Sequence, residues 1–93
     1  MVNELYTIRI IVKGKVQGVY FRKYTRNKAL EFGLEGEVRN LPDGSVSVYA
    51  TGTESQLESL KAVCKTGPPA ARVTEMSIEE VELKNYSGFH ILK

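Results

Sequence analysis

The sequence predicts an α+β fold in which an antiparallel sheet carries two helices on one face. Three observations predict it. The apolar period switches between two and about 3.6 residues along the chain. The elements so marked fall in the order β-α-β-β-α-β. Each half of that order is long enough for one strand–helix–strand unit. At 93 residues, 42% hydrophobic and 26% charged, the chain reads as a single domain over residues 1–93 with ordinary globular composition.

From Tyr6 to Val12, Tyr6, Ile8, Ile10 and Val12 alternate with Thr7, Arg9 and Ile11, the signature of a first strand. Gly14 and Gly18 bracket a loop. Phe21, Tyr24, Thr25, Ala29 and Phe32 then recur at helical spacing, and Gly33 supplies a stop. Glu37 to Asn40 forms a short second strand, and Pro42-Asp43-Gly44 a tight turn. Val46, Val48 and Ala50 alternate with Ser47 and Tyr49 in a third strand. Thr53-Glu54-Ser55-Gln56 is a capping-box pattern that opens a second helix, with Leu57, Leu60 and Cys64 on one face, and Gly67-Pro68-Pro69 ends it. Met76 and Ile78, then Val81 and Leu83, mark a fourth strand whose apolar phase slips between Ile78 and Val81, as at a bulge or break. Phe89 to Leu92 is a candidate fifth, edge strand.

Two β-α-β halves of this length make a ferredoxin-like α/β sandwich, βαββαβ, with both helices on one face of the sheet. In that topology the first two strands run parallel, joined by the first helix in a right-handed crossover. The loop after the first strand and Asn40 at the end of the second then share one end of the sheet.

Composition narrows the setting. No apolar run approaches the roughly 20 residues that span a bilayer, and Met1-Val2-Asn3-Glu4 lacks the basic and apolar regions of a secretory leader. Cys64 is the only cysteine, so no internal disulfide can form and a reducing compartment fits. The expectation is a cytoplasmic protein with no membrane partner. Net charge is +2, too small to argue for nucleic acid. Its distribution says more: residues 1–40 hold eight basic and four acidic side chains, residues 41–93 five and seven. An anionic ligand belongs to the first half.

The segment from Gly14 to Arg22 joins a strand to a helix start. The first N–H groups of that helix lack intrahelical partners and carry the positive end of its dipole. A glycine in the loop lets successive N–H groups converge on one anion, which favours phosphate. Arg22 in the first turn opposes the dipole, yet its planar fork can grip two phosphate oxygens at once. On these features alone, a glycine-bearing turn before a solvated basic helix reads equally well. Asn40 likewise suits a turn before Pro42-Asp43-Gly44, although it shares the Val38 face and should point inward.

The strings themselves are more specific. Gly14-Lys15-Val16-Gln17-Gly18-Val19-Tyr20-Phe21-Arg22 resembles the signature of the acylphosphatase family, and Gly36-Glu37-Val38-Arg39-Asn40-Leu41-Pro42-Asp43-Gly44-Ser45-Val46 resembles its second signature. Their spacing and the later Gly67-Pro68-Pro69 match as well, so the resemblance spans essentially the whole chain. It implies a metal-independent hydrolase with no cofactor, cleaving the carboxyl–phosphate anhydride of a small acyl phosphate to carboxylate and inorganic phosphate. It implies Arg22 and Asn40 as catalytic residues, with phosphate cradled by backbone amides of Gln17, Gly18, Val19, Tyr20, Phe21 and Arg22. Inorganic phosphate is then product or competitive ligand. Glu37 departs from the pattern, which commonly has an aromatic residue there; alternation points it away from Asn40.

What the chain lacks agrees with that chemistry. It has one histidine, no metal-ligand cluster and no catalytic triad. A carboxylate leaving group, with a pKa of about 4, departs unaided at neutral pH. The protein need only bind the phosphoryl oxygens and aim a water in line. His90 reads as a surface strand residue, Cys64 as a small core residue, and Glu79, Glu80 and Glu82 as a solvated strand face. Lys15, Lys23 and Arg26 serve either substrate steering or solubility. An RNA-binding sheet is the main alternative, but the outward positions Thr7, Arg9, Ile11, Ser47 and Tyr49 hold a single aromatic, so no nucleic acid partner is expected. A domain that binds acyl phosphate without turnover is a third reading. A monomer is expected.

Overall fold

The computed structural model describes residues 4–93; Met1, Val2 and Asn3, part of the segment weighed above as a leader, lie outside them. The chain forms β1 (Tyr6–Lys15), α1 (Phe21–Glu31), β2 (Glu35–Asn40), β3 (Val46–Gly52), α2 (Glu54–Thr66), β4 (Arg72–Val81) and β5 (Phe89–Leu92). They build one sheet in the order β4-β1-β3-β2-β5. β1 and β2 both pair antiparallel with β3 and therefore run parallel to each other. The ferredoxin-like arrangement is thus as the element order predicts.

Strand alternation sorts the two faces. Ile8, Ile10 and Val12 of β1, Val38 of β2, and Val46, Val48 and Ala50 of β3 are buried beneath the helices. Phe21 and Ala29 of α1 and Leu57, Leu60 and Cys64 of α2 meet them there. Burying these side chains, at about 25 cal/mol per Å² of apolar surface, ties both helices to the sheet. The face opposite carries Thr7, Arg9, Ile11, Ser47, Tyr49 and Thr51.

The fifth strand brings a departure from a purely antiparallel sheet: β5 pairs with β2 in parallel. After β4 ends at Val81, beside Thr7, the chain crosses the open face to reach the far edge. This strap is fastened at Lys84, whose backbone N–H donates to Thr7 Oγ1 (2.9 Å) and whose carbonyl accepts from Thr51 Oγ1 (2.6 Å). The crossing ends where Gly36 N–H donates to the Gly88 carbonyl, so β5 starts level with β2 and must run with it. β1, β2 and β5 consequently end together.

The apolar slip in β4 is not a bulge. Pairing with β1 is continuous from Met76↔Val12 to Val81↔Thr7. Met76 and Ile78 point to the helix side, whereas Val81 lies opposite Thr7 on the open face, under the strap. The slip marks a change of covered face. The register shift falls instead between Lys13 and Gly14 of β1. Gly14 has φ 125°, and a Cβ there would collide with the Arg72 carbonyl, so the irregularity requires glycine.

Candidate active site

The two helices begin in different ways. Thr53 caps α2: its hydroxyl accepts from Gln56 N–H, and Gln56 Oε1 accepts from Thr53 N–H at 2.8 Å. At α1 the cap position is Tyr20, with φ 72°, no side-chain cap and no acidic residue in the first turn. A left-handed tyrosine costs about 1–2 kcal/mol. Gly18, also at φ 72°, bends the chain two residues earlier without that penalty. The amides opening α1 are left without a side-chain partner.

Two packing contacts hold this loop. Phe21 is buried and lies against Gly67, where an added Cβ would stand 2.9 Å from its ring; the glycine after α2 makes room for the anchor of α1. Gln17 Nε2 donates to the carbonyls of Leu41 (2.8 Å) and Ser45 (3.0 Å), fastening the loop to the β2–β3 turn. That turn is closed by Asp43, which accepts from the Ser45 hydroxyl and amide. These bonds, the hydroxyl's foremost, hold the Asp43 carboxyl below its ordinary range.

Between loop and sheet end lies a cavity of about 200 Å³ lined by Val16, Gly18, Tyr20, Arg22, Asn40 and Ile91, with Phe21 and Lys23. Gly18, Tyr20, Phe21, Arg22 and Asn40 of the expected set therefore meet here. The side chains of Gln17 and Val19 do not: Gln17 reaches the turn and Val19 is buried in the core, leaving only their backbone for this side. Arg22 Nη1 donates to the Leu92 carbonyl at 3.1 Å, which fixes one edge of the guanidinium and leaves its other donors free. Asn40 Oδ1 is buried and has no hydrogen-bond partner, a state a native fold rarely tolerates without a ligand or water to fill it. Sequence reasoning missed Ile91 and Leu92. Their signal was the Phe89/Ile91 alternation, which required knowing that β5 runs with β2.

The remaining candidates lie elsewhere. Cys64 is fully buried, and burial pushes its thiol up to about 12, an unreactive state. His90 is exposed, with a ring nitrogen bonded to the Ser87 carbonyl. Among the described residues no group of three or more His, Cys, Asp or Glu side chains could hold a metal ion, and no helix is long and apolar enough to cross a membrane.

An α/β sandwich in which an uncapped helix start, an arginine and an asparagine share one pocket at the end of the sheet defines a protein of the ferredoxin-like class. The acylphosphatase family model matches residues 8–91. An acylphosphatase of Archaeoglobus fulgidus is 42% identical over 94% of this chain and 98% of its own, and one of Acaryochloris marina 42% identical over the full length of both. The solved structure of an acylphosphatase from Coxiella burnetii superposes with a TM-score of 0.92 at 39% identity, covering 97% of this chain and 94% of its own. The chain belongs to the acylphosphatase family, the hydrolases of acyl phosphates.

Proposed function

We propose that the chain hydrolyses the carboxyl–phosphate anhydride of small acyl phosphates without a metal, by in-line attack of a water positioned by Asn40 on a phosphoryl group held by Arg22 and the amides of Gln17 to Arg22. The observation that carries this reading is the unpartnered, buried Oδ1 of Asn40 in the same pocket as Arg22 and the open start of α1. A carbonyl oxygen there accepts a hydrogen from water and directs its lone pair outward. Arg22 and the amides stabilise the equatorial oxygens as charge spreads over them. The new P–O bond forms as the bond to the acyl oxygen breaks, and its electron pair leaves on the carboxylate. The proton of the attacking water passes to a phosphoryl oxygen of the substrate, since no side chain in the pocket is a suitable base. The same reading takes the enzyme as a cytoplasmic monomer that needs no cofactor, acts on a small molecule, and binds inorganic phosphate as product or competing ligand.

The decisive assay follows hydrolysis of benzoyl phosphate with and without a chelator. Equal turnover in both is expected. No turnover in either would remove the enzymatic reading in favour of a binding domain, and loss only with chelator would remove the metal-free mechanism. Near-full activity of Asn40→Ala would remove the water-positioning role.

A further inference from the structure

A cavity of about 430 Å³ opens on the other face of the sheet, between the central strands and the strap. Its volume falls within the range of small-molecule sites, which the catalytic pocket does not reach. Three cations line it: Arg9, Arg39 and Lys84. Among the described residues none of them is in an ion pair. For Arg9 this is notable, because Glu79 stands directly across from it in β4, where opposite charges ordinarily pair. The Arg9 guanidinium lies instead over the Tyr49 ring, 5.7 Å from its centre, and its Nε is buried without a hydrogen-bond partner. Arg9 and Arg39 flank β3 from either side, Arg9 opposite Tyr49 and Arg39 opposite Ser47, which sets them about 12 Å apart on the diagonal at the spacing of strands and residues. Tyr86, carried by the strap, adds a second aromatic ring that the strand pattern alone does not reveal.

We propose that this face is a second ligand site, independent of the catalytic pocket, for a small aromatic anion: one ring bearing a single carboxylate or phosphate. Arg9 and Arg39 supply the charge-assisted donors, and Tyr49 and Tyr86 supply ring faces. Glu37 and Glu82 also line the cavity. They leave room for one anionic group and repel a polyanion, which argues against a nucleic acid strand.

The test is an amide NMR titration of the full chain with phenyl phosphate, with benzoate, and with inorganic phosphate alone. Saturable shifts at Arg9, Arg39, Tyr49 and Tyr86 are expected with at least one aromatic anion at millimolar concentration or below. They should persist in Arg22→Ala, which disables the catalytic loop, and be absent with inorganic phosphate. Arg9→Gln and Arg39→Gln should each weaken binding about tenfold. Arg39 is exposed, so its variant carries the test if Arg9→Gln fails to fold. Shifts confined to Gln17–Arg22 and Asn40, loss of the open-face shifts in Arg22→Ala, unchanged affinity in Arg39→Gln, or equal response to inorganic phosphate would each overturn the proposal.

Discussion

The starts of α1 and α2 answer one physical problem in opposite ways. Both helices present N–H groups without intrahelical partners. At α2 the chain satisfies two local amides with Thr53 and Gln56 and adds Glu54 to the first turn. At α1 it uses a left-handed Tyr20, no cap and no acid, and places Arg22 and Lys23 where positive charge is disfavoured. The α2 start is complete by itself; the α1 start is left open, and on the proposed function an anion completes it. Local stability has been given up at the place where the proposed ligand would restore it.

Experiments can break or sharpen this contrast. The largest effect is expected from Arg22→Ala, which should cut benzoyl phosphate turnover on the order of 10³-fold. Thermal melts with inorganic phosphate should show the wild type stabilised by about 2.7 kcal/mol at a hundredfold excess over Kd, with the variant almost unresponsive. Equal phosphate protection in both would mean that the α1 start is not the anion site. Asn40→Ala should lower kcat by about 10²-fold while phosphate still inhibits, separating binding from attack. Gly67→Ala should destabilise by about 2 kcal/mol, because the new methyl meets Phe21 and the backbone is left-handed; an unchanged melting temperature would deny that Gly67 makes room for the loop anchor.

Thr53→Ala is expected to cost about 1 kcal/mol in denaturant unfolding with kcat intact, since that cap serves only its helix. A comparable loss of turnover would erase the distinction between the two helix starts. The smallest effect concerns Asp43. Its folded pKa lies below the unfolded value, so its contribution to stability is present above about pH 4 and is lost as pH falls through the folded value. Asp43→Asn should lower the melting temperature slightly at neutral pH and flatten the acid limb, so that the two profiles converge below the folded pKa. A profile that overlays the wild type throughout would show that the Asp43–Ser45 turn is not titrating.

Much of this was legible in the chain because local rules and global fold agree. The period-two runs of β1 and β3, the Thr53–Gln56 capping box and the Leu57/Leu60/Cys64 stripe each specify an element through its own residues, and each appears where its pattern lies. The meeting of Arg22 and Asn40 was also readable, since parallel β1 and β2 follow from the element order. Three things were not. The apolar slip at Ile78–Val81 looks like a bulge because a sequence cannot show that the strap covers Val81 from the other side. The real irregularity, at Gly14, lies against the Arg72 carbonyl, nearly sixty residues away, which leaves no room for a Cβ. The direction of β5, and hence the Leu92 carbonyl beside Arg22, depends on the path of a strap whose Lys84 backbone meets the Thr7 and Thr51 hydroxyls, a pairing that neither segment reveals alone.

That last contact ties the pocket to the far end of the chain. Arg22 rests on a carbonyl seventy residues later in the chain, and it reaches its final position only after the strap has crossed the sheet and β5 has docked. During synthesis the loop before α1 emerges early, yet its arginine lacks that support until the chain is almost finished. On the proposed function, phosphate binding during refolding should require a docked β5, so phosphate affinity would report that both ends of the chain are in place.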